Sequence, residues 1–143
     1  MPCRTRLAFA LGLASLVVSP TPSGADRALV VIVSPPPDAR VGARAELGVS
    51  VEAGPGLTLH GLAALFVDLA GPDALGIERH RYERTDSLRL DAPAASFRIG
   101  LRPTEPGAYT LSVRARAMVC RGSRCRAVET TRISRVNVAA PSQ

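Results

Sequence analysis

The 143-residue sequence contains no lysine and no tryptophan, and aromatic residues make up only 3% of it. All 18 basic residues are therefore arginine, against 12 acidic residues. Scarce aromatic side chains argue against a protein that stacks nucleic-acid bases on such rings, so no nucleic-acid partner is predicted. Glycine and proline, at 12 each, argue against a coiled coil, while a 46% hydrophobic content argues against intrinsic disorder. These exclusions leave a globular chain of about one domain.

Motifs of common enzymes are also absent. The sequence has no Gly-x-Ser-x-Gly elbow, no His-Glu-x-x-His motif, no glycine-rich phosphate loop and no credible pair of catalytic carboxylates. Its two histidines, His60 and His80, are twenty residues apart and lack the spacing of metal ligands. The sequence therefore predicts no metal site and no cofactor.

The N-terminal residues have the pattern of a secretory signal: a positive start, an apolar stretch, and small side chains before a cleavage site near Ala25. These features come from Arg4 and Arg6, from residues 7–18, and from Ser23 and Ala25. A membrane-spanning helix needs about 20 apolar residues, and Pro20 and Pro22 end this stretch early. We therefore predict a cleaved signal peptide over residues 1–25 and one exported domain over residues 26–143, periplasmic or secreted, with no transmembrane segment.

Positive charge is concentrated near the end of this domain. Between Arg114 and Arg135 there are seven arginines and one acid, Glu129, whereas the rest of residues 26–143 holds nine arginines and eleven acids. Such a local basic surface favours contact with an acidic protein partner, an anionic lipid or a polysaccharide; a merely solvated basic face is the alternative. The residues predicted to bind the partner are Arg114, Arg116, Arg121, Arg124 and Arg126.

Seven short segments rich in Val, Ile, Leu and Thr are separated by Gly, Pro and Asp, which is typical of all-β proteins. The predicted strands are Ala28–Ser34, Ala45–Glu52, Leu62–Leu69, Gly76–Glu83, Ser96–Leu101, Tyr109–Val119 and Arg126–Val138. The Leu62–Leu69 segment also fits helical spacing, so a short helix is the alternative there. The Tyr109–Val119 segment alternates strictly, which predicts one buried and one exposed face.

A glycine two residues before a tyrosine opens this long late strand, in the run from Glu105 to Tyr109. That arrangement is typical of the tyrosine corner of immunoglobulin-like sandwiches, although a plain turn ending in a tyrosine is the alternative. Together with the strand pattern, it predicts an all-β fold: an immunoglobulin-like β-sandwich of about seven strands.

Two cysteines, Cys120 and Cys125, flank a four-residue loop that contains Gly122. A hairpin of this kind brings the flanking Cα atoms about 4.5–5.5 Å apart, within the range of ~4.4–6.8 Å that a disulfide bridges. In an oxidising compartment we therefore expect a Cys120–Cys125 disulfide. Its small loop limits the predicted stabilisation to roughly 2 kcal/mol. Neighbouring arginines stabilise thiolates, which favours a redox-active bridge. A purely structural bridge is the alternative.

Residues 109–138, with a long strand, a Cys-x4-Cys hairpin and a return strand, resemble the periplasmic N-terminal domain of the DsbD family of thiol:disulfide interchange proteins. The resemblance implies an immunoglobulin-like fold and a partner among periplasmic thiol–disulfide proteins. It also implies catalytic roles for Cys120 and Cys125 as the exchanging pair of a thiol:disulfide oxidoreductase. Two functions therefore stay open: a non-catalytic binding or accessory module, and a thiol–disulfide exchange domain.

Overall fold

The computed structural model describes residues 28–90 and 92–143, so the predicted signal peptide lies outside the described residues. The described part of the chain contains nine strands and two single-turn 3-10 helices. The strands are β1 (Leu29–Ser34), β2 (Ala39–Arg40), β3 (Ala45–Ala53), β4 (Thr58–Leu59), β5 (Phe66–Ala70), β6 (Arg81–Glu83), β7 (Ala95–Leu101), β8 (Gly107–Arg121) and β9 (Arg124–Ala139). The 3-10 helices are Asp73–Leu75 and Arg84–Asp86. Neither of these helices has the length needed to cross a bilayer.

The strands form an immunoglobulin-like β-sandwich, which confirms the predicted fold class. One sheet has the order β1-β3-β7, and the other has the order β2-β9-β8-β5-β6, with β4 added beside β8. Neighbouring strands are antiparallel except β2 and β9, which are parallel. The chain crosses between the sheets through residues 35–37, three prolines that lack the N–H groups a sheet ladder requires.

The core lies between the inner faces of the two sheets. The predicted alternation of Tyr109–Val119 is confirmed, because alternate residues of β8 are fully or nearly fully buried. These residues are Leu111, Val113, Ala115, Ala117 and Val119. In a chain with so few aromatic residues, Phe97 on β7 is the largest fully buried side chain, and its ring meets that of Tyr82 edge-on at 6.1 Å.

The predicted tyrosine corner is present at the start of β8. The Tyr109 hydroxyl donates a hydrogen bond to the carbonyl oxygens of Glu105, at 3.0 Å, and Pro106, at 3.2 Å. A Cβ atom at Gly107 would lie 3.4 Å from the Tyr109 ring, and the φ angle of this residue is +147°. Glycine at this position therefore leaves room for the ring to fold back over the turn.

The Leu62–Leu69 prediction is wrong at its N-terminal half, and the alternative helix does not form. Strand β5 begins only at Phe66, and Leu62 lies in a bend with its side chain 93% exposed. His60 shapes this bend because its Nδ1 atom accepts hydrogen bonds from the N–H groups of Leu62 and Ala63. The Arg84 guanidinium also donates to the carbonyls of His60 and Ala63, so the backbone here is held by side chains.

The predicted strand Gly76–Glu83 is also too long, because only Arg81–Glu83 pairs as a strand. Gly76 ends a 3-10 helix in the left-handed conformation, with φ of 57° and ψ of 50°. Beyond it, Ile77 makes a single β-bridge to Leu101. The segment before β6 is therefore irregular, and it carries the chain from beside β7 of one sheet to the edge strand β6 of the other.

Candidate binding surface on the β8–β9 hairpin

The longest strands of the fold, β8 and β9, form one hairpin whose ladder runs from Gly107↔Val138 to Arg121↔Arg124. The connection has only two residues, Gly122 and Ser123, whereas the sequence predicted a four-residue loop. Gly122 has φ of 59° and no other residue type takes a positive φ within the described chain, so this is a type II′ turn. The predicted loop therefore belongs largely to the strands.

The predicted disulfide is confirmed between Cys120 and Cys125. The two residues face each other in the ladder with their Cα atoms 4.0 Å apart, closer than predicted. Cys120 is buried, because Thr58 of β4 pairs with it on its other side, while Cys125 is exposed on the free side of β9. The two halves of the cystine therefore differ in their access to solvent.

The alternation along the hairpin separates the predicted partner-binding arginines into two groups. The side chains of Arg121, Arg124 and Arg126, the tip arginines, project from the same face as the buried Val119, beyond the end of the core. Arg114 and Arg116, the base arginines, project from the opposite face.

The cystine lies on the base-arginine face, not on the face of the tip arginines. Its next neighbours on that face are the paired residues Met118 and Ala127, which are apolar. Adjacency in sequence therefore overstates how closely the tip arginines approach the sulfur atoms, and their effect on a thiolate is correspondingly weaker.

Both base arginines contact a carboxylate on a neighbouring strand that the sequence pattern did not single out, and Arg116 Nε also lies 3.8 Å from Glu129. Asp68 on β5 lies 2.6 Å from Arg81 Nε and 3.5 Å from a terminal nitrogen of both Arg114 and Arg116. The hydrogen bond from Arg81, followed by the charges around it, holds the pKa of Asp68 below its usual range. The same bond raises the pKa of Arg81.

Phe66, two residues before Asp68, completes this cluster. The guanidinium groups of Arg81 and Arg116 each lie 5.4 Å from the centre of its ring, within cation–π distance. The sequence does contain a signal for Asp68, since it stands between the apolar residues Val67 and Leu69 and must therefore project outward from a strand.

The tip arginines have no such neutralising partner. Within residues 28–90 and 92–143, no carboxylate oxygen lies within 4.0 Å of Arg121, Arg124 or Arg126, and all three are exposed. Farther along β9, Arg132 and Arg135 share both properties. The tip and the free side of β9 therefore form a surface of unpaired positive charge, and such a surface attracts anionic groups.

Both histidine rings contact backbone groups of the described chain. His60 accepts backbone hydrogen bonds, as described above, and His80 Nδ1 lies 3.0 Å from the carbonyl oxygen of Leu69. Among the described residues, no three His, Cys, Asp or Glu side chains are grouped in a way that would hold a metal ion.

Comparison with known proteins identifies no family. No protein-family model matches the sequence, and no curated protein matches it. Among solved structures, the chain is similar to AggA, the major subunit of aggregative adherence fimbriae type I from Escherichia coli. The identity is 10% and the TM-score is 0.43, over 78% of this chain and 94% of that one. A likeness at this level carries no argument about function.

Proposed function

We propose that the protein is a non-catalytic binding module that acts outside the cytoplasm and contacts an acidic protein partner through its β8–β9 hairpin. The observation that supports this function most directly is that the tip arginines are exposed and lack a carboxylate partner in the described chain. Arg121, Arg124 and Arg126 are exposed and have no carboxylate within 4.0 Å in the described chain, whereas the base arginines contact Asp68.

The hairpin also holds these charges in place before any partner arrives. The Cys120–Cys125 bridge closes the ladder one residue pair before the turn, and β4 supports β8 at the same level. Restraint of the backbone before binding lowers the entropy lost on association. A fixed cluster of like charge also steers an oppositely charged partner and increases its association rate.

The test uses poly-L-glutamate as the acidic probe and the oxidised protein comprising residues 26–143. Replacing the three tip arginines by Glu should weaken binding by at least about tenfold at low salt, because each reversal replaces attraction with repulsion. The matched control reverses Arg40, Arg98 and Arg102, which changes the net charge equally at other surfaces. Titration calorimetry at two salt concentrations measures both.

Two results would contradict the proposal. An equal loss of affinity in the control would show that only the net charge matters, and unchanged affinity in the tip variant would place the binding surface elsewhere. Selective loss in the tip variant, reduced at high salt as screening predicts, would support it.

A second candidate is thiol–disulfide exchange, the function implied by the resemblance to the DsbD family, and the exposure of Cys125 favours it. A thiolate of a periplasmic dithiol protein would attack the exposed Sγ of Cys125, and the Cys120–Cys125 bond would break with Cys120 leaving as thiolate. The partner's second thiol would then release Cys125, so that the partner is oxidised and the cysteine pair is reduced.

Equilibration with glutathione distinguishes the two candidates. A reduction potential well below about −300 mV would mark the bridge as structural and exclude exchange with the periplasmic pool. A higher potential, together with a mixed disulfide trapped on Cys125 in a Cys120→Ser variant, would support exchange.

A further inference from the structure

One side of β9 is almost unpaired within the described chain. Strand β8 occupies one side along the whole length of β9, but β2 occupies the other side only at Val138 and Ala139. Residues 124–137 therefore present a free sheet edge of fourteen residues, beside a position where the fold itself already adds a strand. An exposed edge of this length is a template for pairing with another chain.

The register identifies which backbone groups are available. In a two-residue hairpin, Arg121 and Arg124 exchange both hydrogen bonds, so the even-numbered residues of β9 bond to β8. The odd-numbered residues then direct their N–H and C=O groups to the free side. The hydrogen bond from the N–H of Val41 to the carbonyl of Ala139, at 3.1 Å, agrees with this assignment.

A groove runs beside this edge. It lies between Leu29–Val33 of β1 and Thr130–Arg135 of β9, is also lined by Pro35, and has a volume of about 690 Å³. Ile32 and Ile133 border the groove and are 47% and 63% exposed, and strand alternation turns both side chains to the outer faces of their sheets. The Thr130 hydroxyl is buried here and has no hydrogen-bond partner in the described chain. The groove thus lies beside an unpaired strand edge and contains a hydroxyl group without a hydrogen-bond partner.

We infer that β9 binds an extended acidic segment of the partner as an additional strand, in line with β2 and over this groove. The inference rests on the proposed function, since it concerns the same basic surface, and specifies how the partner binds. β-strand addition supplies affinity through backbone hydrogen bonds and specificity through alternate side chains.

Charge decides between an acidic segment and a second copy of this chain. Strand β9 carries four arginines and one glutamate, a net charge of +3. Pairing of two β9 edges would bring +3 against +3 and is therefore disfavoured, whereas a segment with regularly spaced carboxylates is attracted.

The alternation of β9 also predicts the pattern of the segment. Side chains next to Arg126 and Arg132 lie on the inner face of β9, where Arg132 borders the groove, so acidic residues suit those positions. Side chains next to Ala127 and Ile133 face outward, where apolar residues would cover the exposed Ile133. The preferred segment therefore alternates acidic and apolar residues.

The probe is a Glu-Val repeat peptide of about eight residues, a usual strand length. A Lys-Val repeat tests charge, and a Glu-Val repeat with alternate N-methyl groups tests backbone pairing with unchanged side chains. We expect the Glu-Val peptide to bind and both modified peptides to bind at least about tenfold more weakly, because pairing needs the N–H groups and the charge.

The matched protein variants are Thr131→Pro and Thr131→Ala. The N–H of Thr131 points to the free side, so proline removes a donor for the segment without removing a hydrogen bond to β8. We expect loss of binding by at least about tenfold in Thr131→Pro, and nearly unchanged binding in Thr131→Ala. Circular dichroism and thermal unfolding establish that each variant is folded; if Thr131→Pro is not, the N-methylated peptide decides.

The outcomes distinguish failure of strand addition at β9 from failure of acidic binding to the hairpin. If tip reversal and Arg132→Glu weaken binding while N-methylation does not, strand addition is overturned and electrostatic docking survives. If neither poly-L-glutamate nor the Glu-Val peptide binds, both fail. If the free protein forms dimers in sedimentation and Thr131→Pro abolishes them, the occupant is a second copy and the acidic segment is overturned.

Discussion

The body of the sandwich and the tip of its hairpin are stabilised by different means. In the body, two sheets bury a continuous apolar core, and several surface arginines contact carboxylates or carbonyls. Examples are Arg44 with Glu78 at 3.2 Å and Arg79 with Asp86 at 2.7 Å. The tip has no apolar core beyond Val119 and Val128, and a cystine on the outer face links its two strands. The difference shows which part of the surface is free to bind.

The arginine contacts of the body alter the local titration but contribute little to stability. The hydrogen bond from Arg79, followed by that from the backbone N–H of Glu83, lowers the pKa of Asp86, and Glu46 and Glu78 raise the pKa of Arg44. Exposed ion pairs contribute about 0–1 kcal/mol each. Several body arginines are therefore already paired, whereas Arg40, Arg89 and Arg102 have no carboxylate within 4.0 Å in the described chain. The tip differs from the body because it brings three such arginines together on one hairpin.

Two glycines have nearly the same φ angle, one in the body and one at the tip. Replacing each by Ala should give the largest difference in the free energy of unfolding between the two regions. Gly76 has φ of 57° and Gly122 has φ of 59°. A Cβ atom at Gly76 would overlap the carbonyl of Arg102, whereas one at Gly122 would meet nothing within 4 Å. We expect Gly76→Ala to lower the free energy of unfolding by about 3 kcal/mol or more, from left-handed strain and overlap together.

Gly122→Ala is the matched control, and only strain of about 1 kcal/mol is expected there. Urea denaturation measures both variants. Similar losses would mean that the tip is packed as tightly as the body, and the contrast between the two regions would then be wrong.

Removing the disulfide should have an intermediate effect on the free energy of unfolding. Replacing both Cys120 and Cys125 by Ala should lower the free energy of unfolding by about 2 kcal/mol, since the bridge closes only a short loop. Acidic-peptide affinity should fall as well, because the reduced restraint increases the entropy lost on binding. Thermal unfolding and peptide titration together test this, with reduced wild-type protein as control; an unchanged affinity would show that the turn alone orders the tip.

Local patterns in the sequence predicted those parts of the fold that local forces determine. Strand β8 follows from strict alternation over Tyr109–Val119, and the disulfide follows from the short spacing of two cysteines in a hairpin. The tyrosine corner was predictable because Tyr109 contacts backbone only three and four residues away. Each of these features depends on residues close together in sequence.

The remaining features depend on contacts between distant residues. Strands β2 and β4 have two residues each and exist because β9 and β8 pair with them. The neutralisation of Arg114 and Arg116 by Asp68 spans more than forty residues, so charge counting within one segment could not detect it. The groove beside β9 likewise needs both sheets, which explains why Arg132 was not distinguished from the other basic residues.

Replacing Asp68 should have the smallest effect on the free energy of unfolding. The substitution tests whether contact with a carboxylate distinguishes the base arginines from the tip arginines. Because the pKa of Asp68 is lowered in the folded state, its contribution is fully present above the unfolded-state pKa of about 4 and is lost as pH falls through the folded value. Asp68→Asn should therefore reduce stability at pH 7 by about 1 kcal/mol or less, and the difference from wild type should vanish in acid. Denaturation at several pH values measures it, with Asp73→Asn as control.

The same substitution should act in the opposite direction on binding. Without the carboxylate, Arg114 and Arg116 lose their contacts at 3.5 Å. Arg114 then has no carboxylate within 4.0 Å in the described chain, like the tip arginines, while Arg116 keeps Glu129 at 3.8 Å. Affinity for poly-L-glutamate should then rise by about twofold, an effect that salt would screen. Asp73→Asn removes the same charge from the 3-10 helix before β6, so an equal rise in affinity there would show that only the net charge matters. A rise confined to Asp68→Asn would show that a single aspartate keeps the base of the hairpin from binding as its tip does.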